Sequence, residues 1–138
     1  MSDLKLEWKE CKPETEFKNV SEKAGVYIIS TKQEVDGQYE VKYVGQASNL
    51  KERAQQHWSK NEQNTELKNH IAKGYAMKFS CAELPFQSER DGVELFLFKY
   101  FDPVYNKCTP SAKTLLSCDL PEVRKHTKKP QIPRVTYF

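Results

Sequence analysis

Two segments, Val26–Thr31 and Tyr39–Val44, are rich in β-branched and aromatic residues, alternate along their length, and flank Asp36-Gly37. Such side chains lose freedom in a helix but pack well on a pleated surface, and Asp-Gly is a strong turn former. The pattern predicts an antiparallel β-hairpin.

Beyond the hairpin, Ser48 or Asn49 can cap a helix in which Leu50, Ala54 and Trp58 recur at helical spacing. A second helical stretch, Thr65–Lys73, carries Leu67 and Ile71 at the same interval and stops at Gly74. Met77–Leu84 reads as a third strand, ended by Pro85. Ser88 is placed to cap a last helix, with Asp91 completing an approximate capping box. That helix has to stop by Asp102, because Pro103 disfavours helical geometry at the residue before it. The order β-β-α-α-β-α predicts an α+β domain: a small three-stranded antiparallel sheet flanked by helices. Residues 1–24 are expected to form an N-terminal extension anchored by Trp8, Phe17 and Val20. Residues 107–138 are expected to form a basic, Pro-containing tail lying partly across the body.

With 138 residues, 38% hydrophobic and 30% charged, the chain suits one soluble domain with its own core. No stretch is long and apolar enough for a bilayer span, and the first residues lack the apolar core of a signal peptide, so a cytoplasmic location is expected. Cys11, Cys81, Cys108 and Cys118 form no Cys-x-x-Cys pair and read as reduced, mostly structural thiols. The net charge of +3 is concentrated after Asn106, the body before it being slightly acidic. A basic tail suits nucleic acid, and a solvated appendage suits the same composition.

Glu94 interrupts the apolar run Val93–Phe98. At ~100° per residue, Leu97, Phe98 and Phe101 share its helix face, so it does not belong to a solvated stripe. A carboxylate so placed needs a cation, a hydrogen-bond donor or a metal. Arg53 and His57, one helical turn apart, project side by side. Their chemistry suits stabilising a phosphate's developing charge and exchanging a hydrogen bond with a tyrosine or water. By themselves, Tyr27 and Tyr43 are only strand aromatics.

Taken in order, Gly25-Val26-Tyr27, Tyr43-Val44-Gly45-Gln46, Arg53, His57, Glu94 and Pro103-Val104-Tyr105-Asn106 resemble the GIY-YIG nuclease family over residues 25–106. Tyr43–His57 is similar to the corresponding stretch of phage and bacterial members. It also resembles the nuclease domain of the excision-repair incision subunit, although lysine there replaces Gln46. Val26 and Val44 stand where the family has isoleucines, and the spacing between the tyrosines is longer than in many members. The resemblance implies a divalent-metal-dependent endonuclease that leaves 5′-phosphate and 3′-hydroxyl ends. It implies one Mg²⁺ or Mn²⁺ on Glu94, Tyr27 as general base or water-positioning group with His57 beside it, and Arg53 on the transition state. Tyr43, Gly45 and Asn106 would order the site, Asn106 through local backbone hydrogen bonds.

Expected nucleic-acid contacts are Gln46, Lys51, Lys107, Arg124, Lys125, Lys128 and Lys129. DNA is the expected substrate, with RNA left open. A non-catalytic DNA-binding or partner-binding module with the same fold is the alternative, and Trp8, Phe17, Tyr137 and Phe138 could offer a surface to a partner or a DNA-targeting subunit. If both tyrosines serve one site they must share a face of the sheet, since successive strand residues alternate. A two-residue Asp36-Gly37 turn sets them on opposite faces. A three-residue loop, or a bulge with the same effect, sets Tyr27 opposite Gly45 and Tyr43 opposite Ile29. This second register is expected, with Gly45 as a bare spot where a phosphate could approach.

Overall fold

The computed structural model describes residues 4–13, 17–32, 37–59 and 62–124. The expected contacts Lys125, Lys128 and Lys129, and the aromatics Tyr137 and Phe138, lie outside the described residues, as does most of the hairpin tip. The elements in chain order are β1 (Lys9–Cys11), β2 (Gly25–Lys32), β3 (Glu40–Ala47), α1 (Leu50–His57), α2 (Thr65–Ala72), β4 (Ala76–Glu83) and α3 (Gln87–Phe101). The sheet is antiparallel with order β1-β4-β2-β3, so it has four strands rather than the three expected. The extra strand comes from the N-terminal segment; at three residues it is too short to show a period and is held by pairing with β4.

The β2–β3 register sets Tyr27 opposite Gly45 and Ile29 opposite Tyr43, then slips so that Ser30 faces Val41. Lys42 is thus the extra residue of a β-bulge, the second of the two devices able to bring the tyrosines together. The slip also explains the core. Tyr27, Ile29 and Phe79 pack with Leu50, Ala54 and Leu67 on the α1/α2 face, with Tyr43 against them. Val26, Ile28, Val41 and Val44 pack with Val93, Leu97 and Phe101 on the α3 face. Without the bulge, Val41 and Tyr43 would point the same way and one of them would leave its layer.

Asn49, not Ser48, caps α1, its side chain accepting from the Glu52 N–H at 3.0 Å. The last helix begins at Gln87, with Phe86 at the cap position and no side-chain cap bond. Ser88 therefore lies inside the first turn, and Asp91 bonds Gln46 and Gln87 instead of closing a capping box. Its C-cap, Asp102, takes the left-handed conformation (φ 49°) ahead of Pro103.

Phe17 is buried against Trp58 and Phe79, and the Trp8 indole donates to the Asp119 carbonyl at 2.9 Å. Neither forms the open partner surface considered from the sequence; both tie the N-terminal segment down. After α3 the chain returns along the body. Leu116 N–H donates to the Gly92 carbonyl, Leu4 and Cys118 form a parallel bridge, and Arg124 bridges Glu40 beside the start of β3. Tyr105, Asn106 and Arg124 thereby occupy the outer edge of β3 from residue 39 to 44, which protects an otherwise open strand. Among the described residues no helix is long and apolar enough to cross a membrane, and all four cysteines are free thiols.

Candidate active site

A cleft of about 560 Å³ opens beside β3, its walls including Tyr43, Arg53, Glu62, Glu94, Asn106 and Lys107. Three pieces of local chemistry build it. The Asn49 cap starts α1 so that Arg53 and His57, a turn apart, face the sheet from the α1 side. The bulge turns Tyr27 and Tyr43 toward them. On the other wall, α3 brings Glu94 to the end of β3.

Tyr27 is only 1% exposed, its ring stacked on Phe79 and its hydroxyl 2.7 Å from His57 Nε2. It fills the space over Gly45: a Cβ there would lie 2.5 Å from the Tyr27 Cζ and hydroxyl. The bare spot expected at Gly45 is therefore taken by the protein's own phenol rather than left for a phosphate. Tyr43 is half-buried and lines the cleft. Burial raises the pKa of both phenols, that of Tyr27 well above 10, and outweighs the nearby Arg53 guanidinium, which favours their ionised forms. Both hydroxyls are protonated at neutral pH. His57 is pushed down to about 3, by burial first and by Arg53 second, so its ring is neutral.

Glu94 meets its need for a donor through Gln46. The amide Nε2 donates to Glu94 Oε1 at 2.9 Å and to Asp91 Oδ1 at 2.8 Å, while its Oε1 accepts from Gln87 at 2.8 Å and Arg90 at 3.3 Å. Arg90 is fixed in turn by the Leu84 and Pro85 carbonyls. Gln46, expected to touch nucleic acid, has its amide committed to holding the glutamate. Burial raises the Glu94 pKa; the Gln46 bond opposes this and Asp91 adds to it.

Asn106 acts over a longer range than the local bonding expected. Its side chain accepts from the Val44 N–H at 2.9 Å and donates to the Val44 carbonyl at 2.8 Å, standing in for a neighbouring strand. Lys107 is exposed at the cleft. Lys51, on the first turn of α1, is 3.9 Å from Glu22. Arg124 pairs with Glu40 at 2.6 Å, toward the far end of β3 from Gly45, and is not part of the cleft wall.

Sequence reasoning missed Glu62. It is buried, 3.0 Å from His57 Nδ1 and 3.8 Å from Arg53 Nη1. Nothing in the polar stretch around it sets it apart, because its burial comes from the return of the chain between α1 and α2.

The family model described as the GIY-YIG catalytic domain matches residues 23–106, more than half of the chain. The protein belongs to the GIY-YIG family, whose domain is a nuclease domain. No curated protein and no solved structure gave a significant match.

Proposed function

We propose that the protein is a divalent-metal-dependent DNA endonuclease that leaves 5′-phosphate and 3′-hydroxyl ends. The observation that carries this reading is the convergence of Tyr43, Arg53 and Glu94, from three elements, on one open cleft. Among the described residues no cluster of three or more His, Cys, Asp or Glu is arranged to hold a metal. A half-buried carboxylate at a cleft, oriented by Gln46, fits a hard cation that keeps most of its water. Glu94 would hold one Mg²⁺ or Mn²⁺, which when bound supplies positive charge to the phosphate and the leaving oxygen.

The protein's own groups do the rest. Arg53, always charged, stabilises the negative charge that grows on the phosphate oxygens. Tyr43, the phenol in the cleft wall, hydrogen-bonds the attacking water and sets its line of approach. Tyr27 is buried behind it with its hydroxyl on His57 and hydrogen-bonded to Arg53, so it supports the guanidinium rather than meeting the water. Asn106 holds β3 in register with the loop carrying Lys107, which contacts the DNA backbone. Water attacking in line with the 3′ oxygen forms the new P–O bond as the P–O3′ bond breaks. Its proton passes to solvent, the departing oxygen takes one from solvent to become the 3′-hydroxyl, and the phosphate stays on the 5′ side.

The test is nicking of supercoiled plasmid with and without Mg²⁺, followed by end labelling. Wild type nicks only with metal, and Glu94→Gln abolishes nicking while DNA affinity stays within about threefold. Tyr43→Phe slows nicking more than Tyr27→Phe does. A wild-type protein that retards plasmid but never nicks it would instead make the domain a non-catalytic binding module.

A further inference from the structure

Glu62, only 6% exposed, has no part in the steps above. Burying an anion is costly unless donors meet it. Its Oε2 accepts from the Asn64 N–H at 3.1 Å. Its Oε1 lies 3.0 Å from His57 Nδ1, close but off the line of a ring N–H, so neither atom has an aligned hydrogen bond. The attraction is electrostatic at this geometry, and contacts of this kind tighten when a substrate closes a site. On the opposite side of the ring, Nε2 is 2.7 Å from the Tyr27 hydroxyl.

A neutral imidazole carries one proton. With a carboxylate facing Nδ1, the proton belongs there, since the other tautomer would turn a lone pair toward an anion. Nε2 then accepts, and the Tyr27 hydroxyl donates to it. The lone pairs of the Tyr27 oxygen are left for Arg53, whose guanidinium is the hydroxyl's other side-chain hydrogen-bond partner and can only donate. The groups facing His57 are Tyr27, Tyr43, Arg53 and Glu62.

We propose that Glu62 is a positioning residue for phosphodiester hydrolysis. By holding His57 with its proton on Nδ1, it orients a one-way hydrogen-bond chain from Arg53 through Tyr27 and His57. With the Gln56 side chain accepting from Arg53 Nη1 at 2.7 Å and Glu62 itself 3.8 Å from that nitrogen, the chain fixes the guanidinium toward the cleft. The catalytic consequence rests on the nuclease reading; the direction of the chain does not.

The experiment records ¹⁵N–¹H correlations of the His57 ring at pH 7, Mg²⁺-dependent single-turnover nicking, and DNA affinity, for wild type, Glu62→Gln and Glu62→Asp. Wild type shows the Nδ1–H form. Glu62→Gln loses that preference and nicks about 10²-fold more slowly, within the range for misplaced acid–base machinery, with affinity inside about threefold. Glu62→Asp restores the tautomer and part of the rate. A wild-type ring in the Nε2–H form overturns the proposal, and needs no variant to fold. An unchanged tautomer and rate in Glu62→Gln overturn it too. Absence of nicking in wild type would overturn the nuclease reading and the catalytic consequence with it, while the ring spectrum still decides the chain's direction.

Discussion

Replacing Gly45 by alanine would put one carbon where Tyr27 already stands. The new Cβ would lie 2.5 Å from the Tyr27 Cζ and hydroxyl and 3.0 Å from Cε2. Reaching ordinary contact near ~3.5 Å requires the ring to retreat by roughly 1 Å. The ring has little room to do so, being stacked on Phe79 at 4.9 Å and bonded to His57 at 2.7 Å. In an unobstructed strand, glycine to alanine stabilises by roughly 0.5–1 kcal/mol through the unfolded state. Overpacking costs roughly 1–3 kcal/mol, and losing the Tyr27–His57 bond about 1 more. The clash wins, leaving a net loss of about 1–3 kcal/mol. For 138 residues, with about 2.1 cal/mol/K of unfolding entropy per residue, Tm falls by roughly 3–10 °C. Thermal and urea unfolding followed by circular dichroism measure this. The same substitution in a Tyr27→Leu background, where Cζ and the hydroxyl are gone, should cost nothing or stabilise. A neutral or stabilising Gly45→Ala in the wild-type background, or an equal cost in both, would refute the packing argument.

Because the folded-state pKa of His57 is depressed to about 3, by burial and then Arg53, the unfolded chain takes up its proton first. Stability is therefore full above about pH 6.5 and declines as pH falls toward 3, by on the order of a few kcal/mol. Urea midpoints at pH 7 and 4.5 should show a shallower decline in His57→Gln than in wild type; parallel declines would disprove it. Asn106→Ala removes both side-chain bonds to Val44, and should cost about 1–3 kcal/mol in urea unfolding while slowing nicking; an unchanged midpoint would show that the loop holds without it. Deleting residues 125–138 while keeping Arg124, whose backbone bonds Tyr39 and Val41, should lower the log–log salt slope of DNA binding by about 0.9 per lost phosphate contact. A constant slope in filter binding would exclude the tail from the interface.

The amino-acid sequence alone determined the features that depend on neighbours in the chain. The β-branched and aromatic runs of β2 and β3, a cap at Ser48 or Asn49 and the Gly74 stop after α2 (φ +79°) are local, and each was legible, although β2 is buried on both faces rather than alternating. So was the oddness of Glu94, because an ionisable residue on an apolar helix face breaks a local period. Only the tertiary structure decided what depends on partners far along the chain. The bulge at Lys42 follows from sending Val41 and Tyr43 to different layers, and β1 exists only because β4 offers it an edge. Gln46 became the holder of Glu94 once α3 packed across it, although its type and position also suited a nucleic-acid contact. Glu62 sits in a stretch with no periodicity, and its importance comes from desolvation. A carboxylate unremarkable in water becomes a fixed charge beside His57 only when the folded chain excludes solvent around it.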